Sequence, residues 1–106
     1  MKIGIIICSN DPETVWNAFR YANFAVNEGD KVKVFLTGKG VEAESLDTHT
    51  FNVTDQIQSL VKSGGTIFSC GTCLKTRQKE ASEVCTFSTM KDMYEIIKES
   101  DKVVTF

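Results

Sequence analysis

The stretch Lys2-Ile3-Gly4-Ile5-Ile6-Ile7-Cys8-Ser9-Asn10-Asp11-Pro12-Glu13 decides how this chain folds. From Lys2 to Cys8 it is almost continuously apolar and β-branched, the pattern of a strand covered on both faces. Ser9-Asn10 interrupts the run. Asp11-Pro12-Glu13 then supplies an N-cap, a proline at the first helical position and an acid in the first turn. A buried strand thus passes straight into a helix.

The same alternation continues outward. Val15, Phe19, Ala22 and Val26 recur at helical spacing before Gly29, so a first helix is expected over about residues 12–28. Lys31 to Leu36 predicts a second strand, nearer the sheet edge because charged residues alternate into it. Thr37-Gly38-Lys39-Gly40 reads as a turn, without the glycine spacing or Lys-Ser/Thr ending of a phosphate cradle. Residues 41–52 read as a loop with one helical turn. Val53, Ile57, Leu60 and Val61 predict a helix ended by Gly64-Gly65. Thr66 to Ser69 predicts a third strand, residues 71–79 a short helix, and Val84 to Phe87 a short fourth strand. Ser88 or Thr89 caps a helix with Met90, Met93, Tyr94 and Ile97 on one face, and Lys102 to Phe106 is the last strand. Strands and helices alternating in this way predict a single α/β domain over residues 1–106: a flavodoxin-like, three-layer α/β/α fold around a five-stranded parallel sheet.

Composition narrows the function. The chain has 106 residues, a hydrophobic fraction of 42% and a formal net charge of −2. Without a basic excess, nucleic acid is not the expected partner. No apolar run reaches membrane-spanning length, and the N-terminal apolar run is too short for a signal peptide. A cytoplasmic protein is expected, and its four cysteines, Cys8, Cys70, Cys73 and Cys85, are not expected to form a disulfide framework.

Ser69-Cys70-Gly71-Thr72-Cys73-Leu74 carries the chemistry. It sets two thiols one turn apart where a strand meets a helix, and a helix start favours thiolate over thiol. Redox work, sulfur transfer and metal binding all use such a pair. A thioredoxin-type enzyme places its motif after an early strand and sets a cis-proline opposite, whereas the only proline here is Pro12. A structural zinc site needs four ligands, and neither a second Cys-x-x-Cys nor a suitable histidine is present. The lone His49 falls in a polar loop, which also rules out a Ser-His-Asp arrangement. Cys8 ends the first strand and Cys70 the third. In the flavodoxin-like order those strands are neighbours, so Cys8 would share the site's mouth. Cys85, at the end of strand four, would lie on the same rim. Arg77 is a candidate anion-binding cation, while Lys75 and Lys79 read as solvated. Trp16, Phe19, Tyr21 and Phe24 cannot all face one core, which favours a subunit contact on the first helix.

Three stretches together resemble the DsrE family, which includes the DsrE and TusD sulfur-relay proteins. They are Asp11 to Ala22 with Val32 to Leu36 and Gly38-x-Gly40-Val41-Glu42; Cys70-Gly71-Thr72-Cys73-Leu74; and Ser88 to Asp92 with Glu99 to Phe106. The resemblance implies a trimer or hexamer and a cysteine persulfide received from a donor protein and passed to an acceptor. Cys70 best matches the family's carrier, with Cys73 next to it, and the carried sulfur would rest on the backbone N–H groups of Gly71, Thr72 and Cys73. No metal or organic cofactor is implied. The TusD-like loop has one cysteine, so the second thiol here implies a way to resolve the persulfide as a disulfide and release sulfide. The residues also leave open an oligomeric binding or scaffold domain whose thiols are structural or metal-holding.

Overall fold

The computed structural model describes residues 1–106. Five parallel strands form one sheet: β1 (Lys2–Ile7), β2 (Lys31–Leu36), β3 (Thr66–Cys70), β4 (Thr86–Ser88) and β5 (Lys102–Thr105). The helices are α1 (Pro12–Asn27), α2 (Val53–Lys62), α3 (Gly71–Thr76) and α4 (Met90–Glu99). The α/β class and the five-stranded parallel sheet are as expected from the alternating pattern. Asp11 caps α1 by accepting from the Thr14 amide at 2.9 Å, as the Asp-Pro-Glu signal requires. Thr89, not Ser88, caps α4, in a reciprocal capping box with Asp92.

The strand order is β4-β3-β2-β1-β5, which corrects two expectations. β2 is central rather than marginal, and it separates β1 from β3. Lys31 and Lys33 are exposed near its start, while Val34, Phe35 and Leu36 are buried; charge marks one end of this strand, not an edge position. Three further boundaries moved. Residues 38–45, expected as a turn and loop, wind into a 3-10 segment. α3 stops at Thr76, and β4 begins at Thr86, so Cys85 precedes that strand instead of ending it.

The core lies mainly between the sheet and the α1–α2 layer. Phe19, Val15, Ile57 and Leu60 from the helices meet Ile5, Ile7, Val34 and Leu36 from the strands, all of them essentially inaccessible to solvent. Strand alternation turns Gly4 to the opposite face, where a Cβ would run into Ile96 and Ser100 of α4. α4 is therefore drawn close over β1, but it buries only Ile96. Met90, Tyr94 and Ile97, placed on one face with Met93 by their spacing, are exposed at 55%, 64% and 45%. On α1, Trp16 is accounted for within the chain: it packs on Phe51 at 5.3 Å between ring centroids, with Arg20 stacked over it. Tyr21 leans on Phe106, and Phe24 stays exposed.

The 3-10 segment is seated on the end of β1. Gly40 lies so close to the Ile7 carbonyl that any Cβ would collide with backbone. The same carbonyl accepts the Thr37 amide at 3.0 Å, and Gly40 donates to the Thr37 carbonyl at 2.9 Å. A backbone obstacle cannot rotate away as a side chain can. Gly40→Ala should therefore cost about 1–3 kcal/mol of unfolding free energy in a urea titration, whereas the exposed neighbour change Lys39→Ala should stay within about 0.5 kcal/mol. Equal midpoints for the two variants would show that the segment does not rest on β1.

Candidate functional site

All five strands run the same way, so their carboxyl ends share one rim, where ligands of open parallel sheets bind. Cys70 ends β3 and occupies the N-cap of α3, and Cys73 follows one turn on. Cys70 is buried at 3% exposure and its side chain makes no cap hydrogen bond, while Cys73 is half-buried. The rim's polar contacts converge on Cys73. Its sulfur accepts the Gly38 amide at 3.2 Å and lies 3.8 Å from the Thr37 hydroxyl. The Cys70 thiol lines the same cleft and also favours the Cys73 thiolate.

These contacts decide the charge state of Cys73. Burial opposes the thiolate. The Gly38 amide, the Cys70 thiol, the Thr37 hydroxyl and the Arg77 charge together outweigh it and hold Cys73 below the usual cysteine value. Arg77 sits just past α3. Its Nε donates to Glu42 Oε2 at 2.8 Å and its Nη1 to the Cys73 carbonyl at 3.2 Å. Asn10 donates to the other Glu42 oxygen at 3.4 Å. Arg77 and Asn10 hold the Glu42 carboxyl below its ordinary range.

Beside the two thiols is an open cleft of about 440 Å³, bounded by Thr72, Lys75, Phe87 and Met90. The Phe87 ring lies against the Cα of Gly71 so closely that no other residue fits there without displacing it. Gly71 and Thr72 line this cleft, Gly71 as the seat of the aromatic wall. Arg77 acts through Glu42 and Cys73 and does not line this cleft.

The other two cysteines stand apart. Cys8 is exposed, with its thiol 3.5 Å from the Phe106 carbonyl, and β2 lies between it and β3. It neither packs in the core nor reaches the pair. Cys85 is buried in a separate cavity with Glu44 and Ser82. Burial, and then the Glu44 carboxylate, push its thiol far above the ordinary range. No three His, Cys, Asp or Glu side chains converge where a metal ion could be held.

Thr37, Gly38, Glu42, Asn10 and Phe87 were not foreseen as site residues. Nothing local marks them, since their placement depends on which strands are neighbours: β1, β2 and β3 for Asn10, Thr37, Gly38 and Glu42, and β3 with β4 for Phe87. The one available signal is Gly38 itself, whose φ of +54° lets the turn aim its amide at the sulfur.

An all-parallel α/β rim with a dithiol at a strand-to-helix corner defines a class of small thiol-bearing domains. The chain matches the DsrE/DsrF-like family over residues 1–106, and it belongs to that family. It is 32% identical to Uncharacterized protein MJ0989 of Methanocaldococcus jannaschii over 114 residues, covering 100% of both chains. It is 31% identical to Uncharacterized protein MK0008 of Methanopyrus kandleri, covering 89% of this chain and 83% of that one. Its fold is that of YchN from Escherichia coli, with a TM-score of 0.86 at 20% identity over 100% of both chains. A conserved protein of unknown function from Bacteroides thetaiotaomicron, BT1422, superposes with a TM-score of 0.80 at 24% identity, over 99% of this chain and 94% of that one. No helix is long and apolar enough to cross a membrane.

The contrast between Cys73 and Cys85 is measurable. With iodoacetamide and peptide-resolved mass spectrometry, Cys73 should reach half-maximal labelling below about pH 8.5, the region of an ordinary free thiol. The lowered value means that thiolate persists toward neutral pH, so labelling should survive acidification further than at an unperturbed cysteine. Cys85 should stay unlabelled until the protein unfolds. Equal profiles at the two positions would contradict the geometry.

Proposed function

We propose that this protein is a sulfur carrier of the sulfurtransferase type, holding sulfur as a persulfide on the Cys70–Cys73 pair. The observation that carries the reading is the Cys73 sulfur accepting the Gly38 amide with the Cys70 thiol beside it. Family membership supports it. The family likeness favours Cys70 as the carrier, but the polar surroundings favour Cys73 as the entering nucleophile.

The Cys73 thiolate attacks the outer sulfur of a donor persulfide, R–S–SH. The donor S–S bond breaks, R–S⁻ leaves with the bonding pair, and Cys73 becomes Cys–S–SH. An acceptor thiolate takes the outer sulfur by the same exchange in reverse. Alternatively, the Cys70 thiolate attacks the inner sulfur of the persulfide. The Cys70–Cys73 disulfide forms, HS⁻ leaves, and the two electrons lost by the thiols reduce the sulfane sulfur. An external dithiol then restores the pair. This work needs free thiols, which suits the cytoplasm.

The partners are donor and acceptor proteins, and further copies of this chain in a trimer or hexamer. Exposed Phe87, Met90, Tyr94 and Ile97 support assembly, because apolar side chains in such number on one small domain mark a surface that is covered. The same surface favours the second reading, an oligomeric scaffold whose thiols do no transfer.

Intact-mass measurement after exposure to a persulfide donor separates the two. Wild type should gain one sulfur, Cys85→Ser should behave alike, Cys73→Ser should gain none, and Cys70→Ser should keep its adduct longer. Loss of the adduct in Cys70→Ser alone would move the carrier to Cys70. No adduct on any of the proteins would leave the scaffold reading.

A further inference from the structure

The ion pair of Glu42 and Arg77 has no part in the sulfur exchange itself, yet it joins the two elements that meet at the Cys73 sulfur. Glu42 belongs to the 3-10 segment that starts with Gly38. Arg77 follows α3, which carries Cys73. One guanidinium spans the gap, with Nε on Glu42 and Nη1 on the Cys73 carbonyl. Asn10, from the loop after β1, holds the second carboxylate oxygen.

We propose that Glu42 and Arg77 are positioning residues for Cys73, whose pairing keeps the Gly38 N–H on the sulfur. The inference rests on the reading of the thiol pair as a sulfur site. Three points of structure carry it. Gly38 adopts a left-handed conformation, with open space where its side chain would be, so its amide direction depends on what fixes the residues after it. Gly40 is pinned on the Ile7 carbonyl, and Glu42, two residues on, is pinned by Arg77 and Asn10. The Gly38 amide is thereby held from one side by β1 and from the other by the helix that carries its acceptor. The fork of an arginine matches this double contact, whereas a lysine offers a single charged point.

The charged and titratable groups around the sulfur are few. Cys70 and Arg77 come from the elements that flank it, and Glu42 comes from the 3-10 segment. Lys79 acts on Glu42 and donates to Ser45 at 3.3 Å. Lys75 points to the Phe87 ring on the cleft side. Removing Glu42 thus separates two mechanisms by sign. Taken as a field alone, losing a nearby carboxylate makes the Cys73 thiolate easier to form. Taken as a positioning contact, its loss frees the Gly38 amide and makes the thiolate harder to form.

The test is the pH dependence of iodoacetamide labelling at Cys73, read by peptide mass spectrometry on the full chain between pH 6 and 10, where Glu42 is ionised. Glu42→Ala should shift the Cys73 profile to higher pH and slow labelling at pH 7 by roughly fivefold through the smaller thiolate fraction. Arg77→Lys, which keeps the charge, should shift it in the same direction. Cys8 in the same samples should not change, nor should Cys73 in Lys39→Gln, which removes a charge from the same segment. A Glu42→Ala profile that is unchanged or moved to lower pH overturns the proposal, as does an Arg77→Lys profile equal to wild type. If Glu42→Ala does not fold, the milder Arg77→Lys decides alone. Labelling needs no persulfide, so failure here and failure of sulfur transfer are separate results.

Discussion

Gly40 has no room for a side chain because the Ile7 carbonyl occupies the space. This contact seats the 38–45 segment on the end of β1 and, through the turn that precedes it, presents the Gly38 amide to the neighbouring strand's helix. The sheet supplies the rest of the geometry. β2 pairs with β1 on one side and β3 on the other, so the loop after β2 is the part of the chain that can touch both Asn10 and Cys73. A small dithiol motif alone would have only its own helix start for stabilisation, and α3 has just six residues. Here the decisive donor comes from another loop.

Cys73 and Cys85 show how strongly position sets thiol chemistry. Cys73 is half-buried and Cys85 buried, and burial disfavours the thiolate in each. At Cys73, amide, hydroxyl and thiol donors and an arginine charge overcome that penalty. At Cys85 the carboxylate of Glu44 adds to it. Burial and neighbouring groups, rather than the cysteines themselves, thus shift the two thiols in opposite directions.

The α4 side of the sheet has a different character. Only one helix covers it, Gly4 lets that helix approach closely, and most of the apolar face of α4 remains open. An amphipathic helix whose apolar face points outward exposes surface that water disfavours, by about 25 cal/mol for each Å². Phe87 and Met90 continue this surface into the thiol cleft. Exposed apolar surface therefore borders the thiol cleft.

The sequence by itself determined the elements and the thiol pair. Apolar runs, the Asp11-Pro12 cap and helical spacing are local signals, and they located every strand and α-helix to within a few residues. Cys70-x-x-Cys73 was legible for the same reason, since both thiols lie on one short stretch. Only the tertiary structure decided which strands are neighbours, because the order in a parallel sheet is set by long-range packing that no local pattern encodes. That order removed Cys8 from the site and brought in Thr37, Gly38 and Glu42. It also turned the helical spacing of Met90, Tyr94 and Ile97 outward: periodicity shows that residues share a face, but what the face meets depends on how many helices cover the sheet. The environment that favours the Cys73 thiolate belongs to the same category, as its amide donor lies 35 residues away in the chain and 3.2 Å away in space.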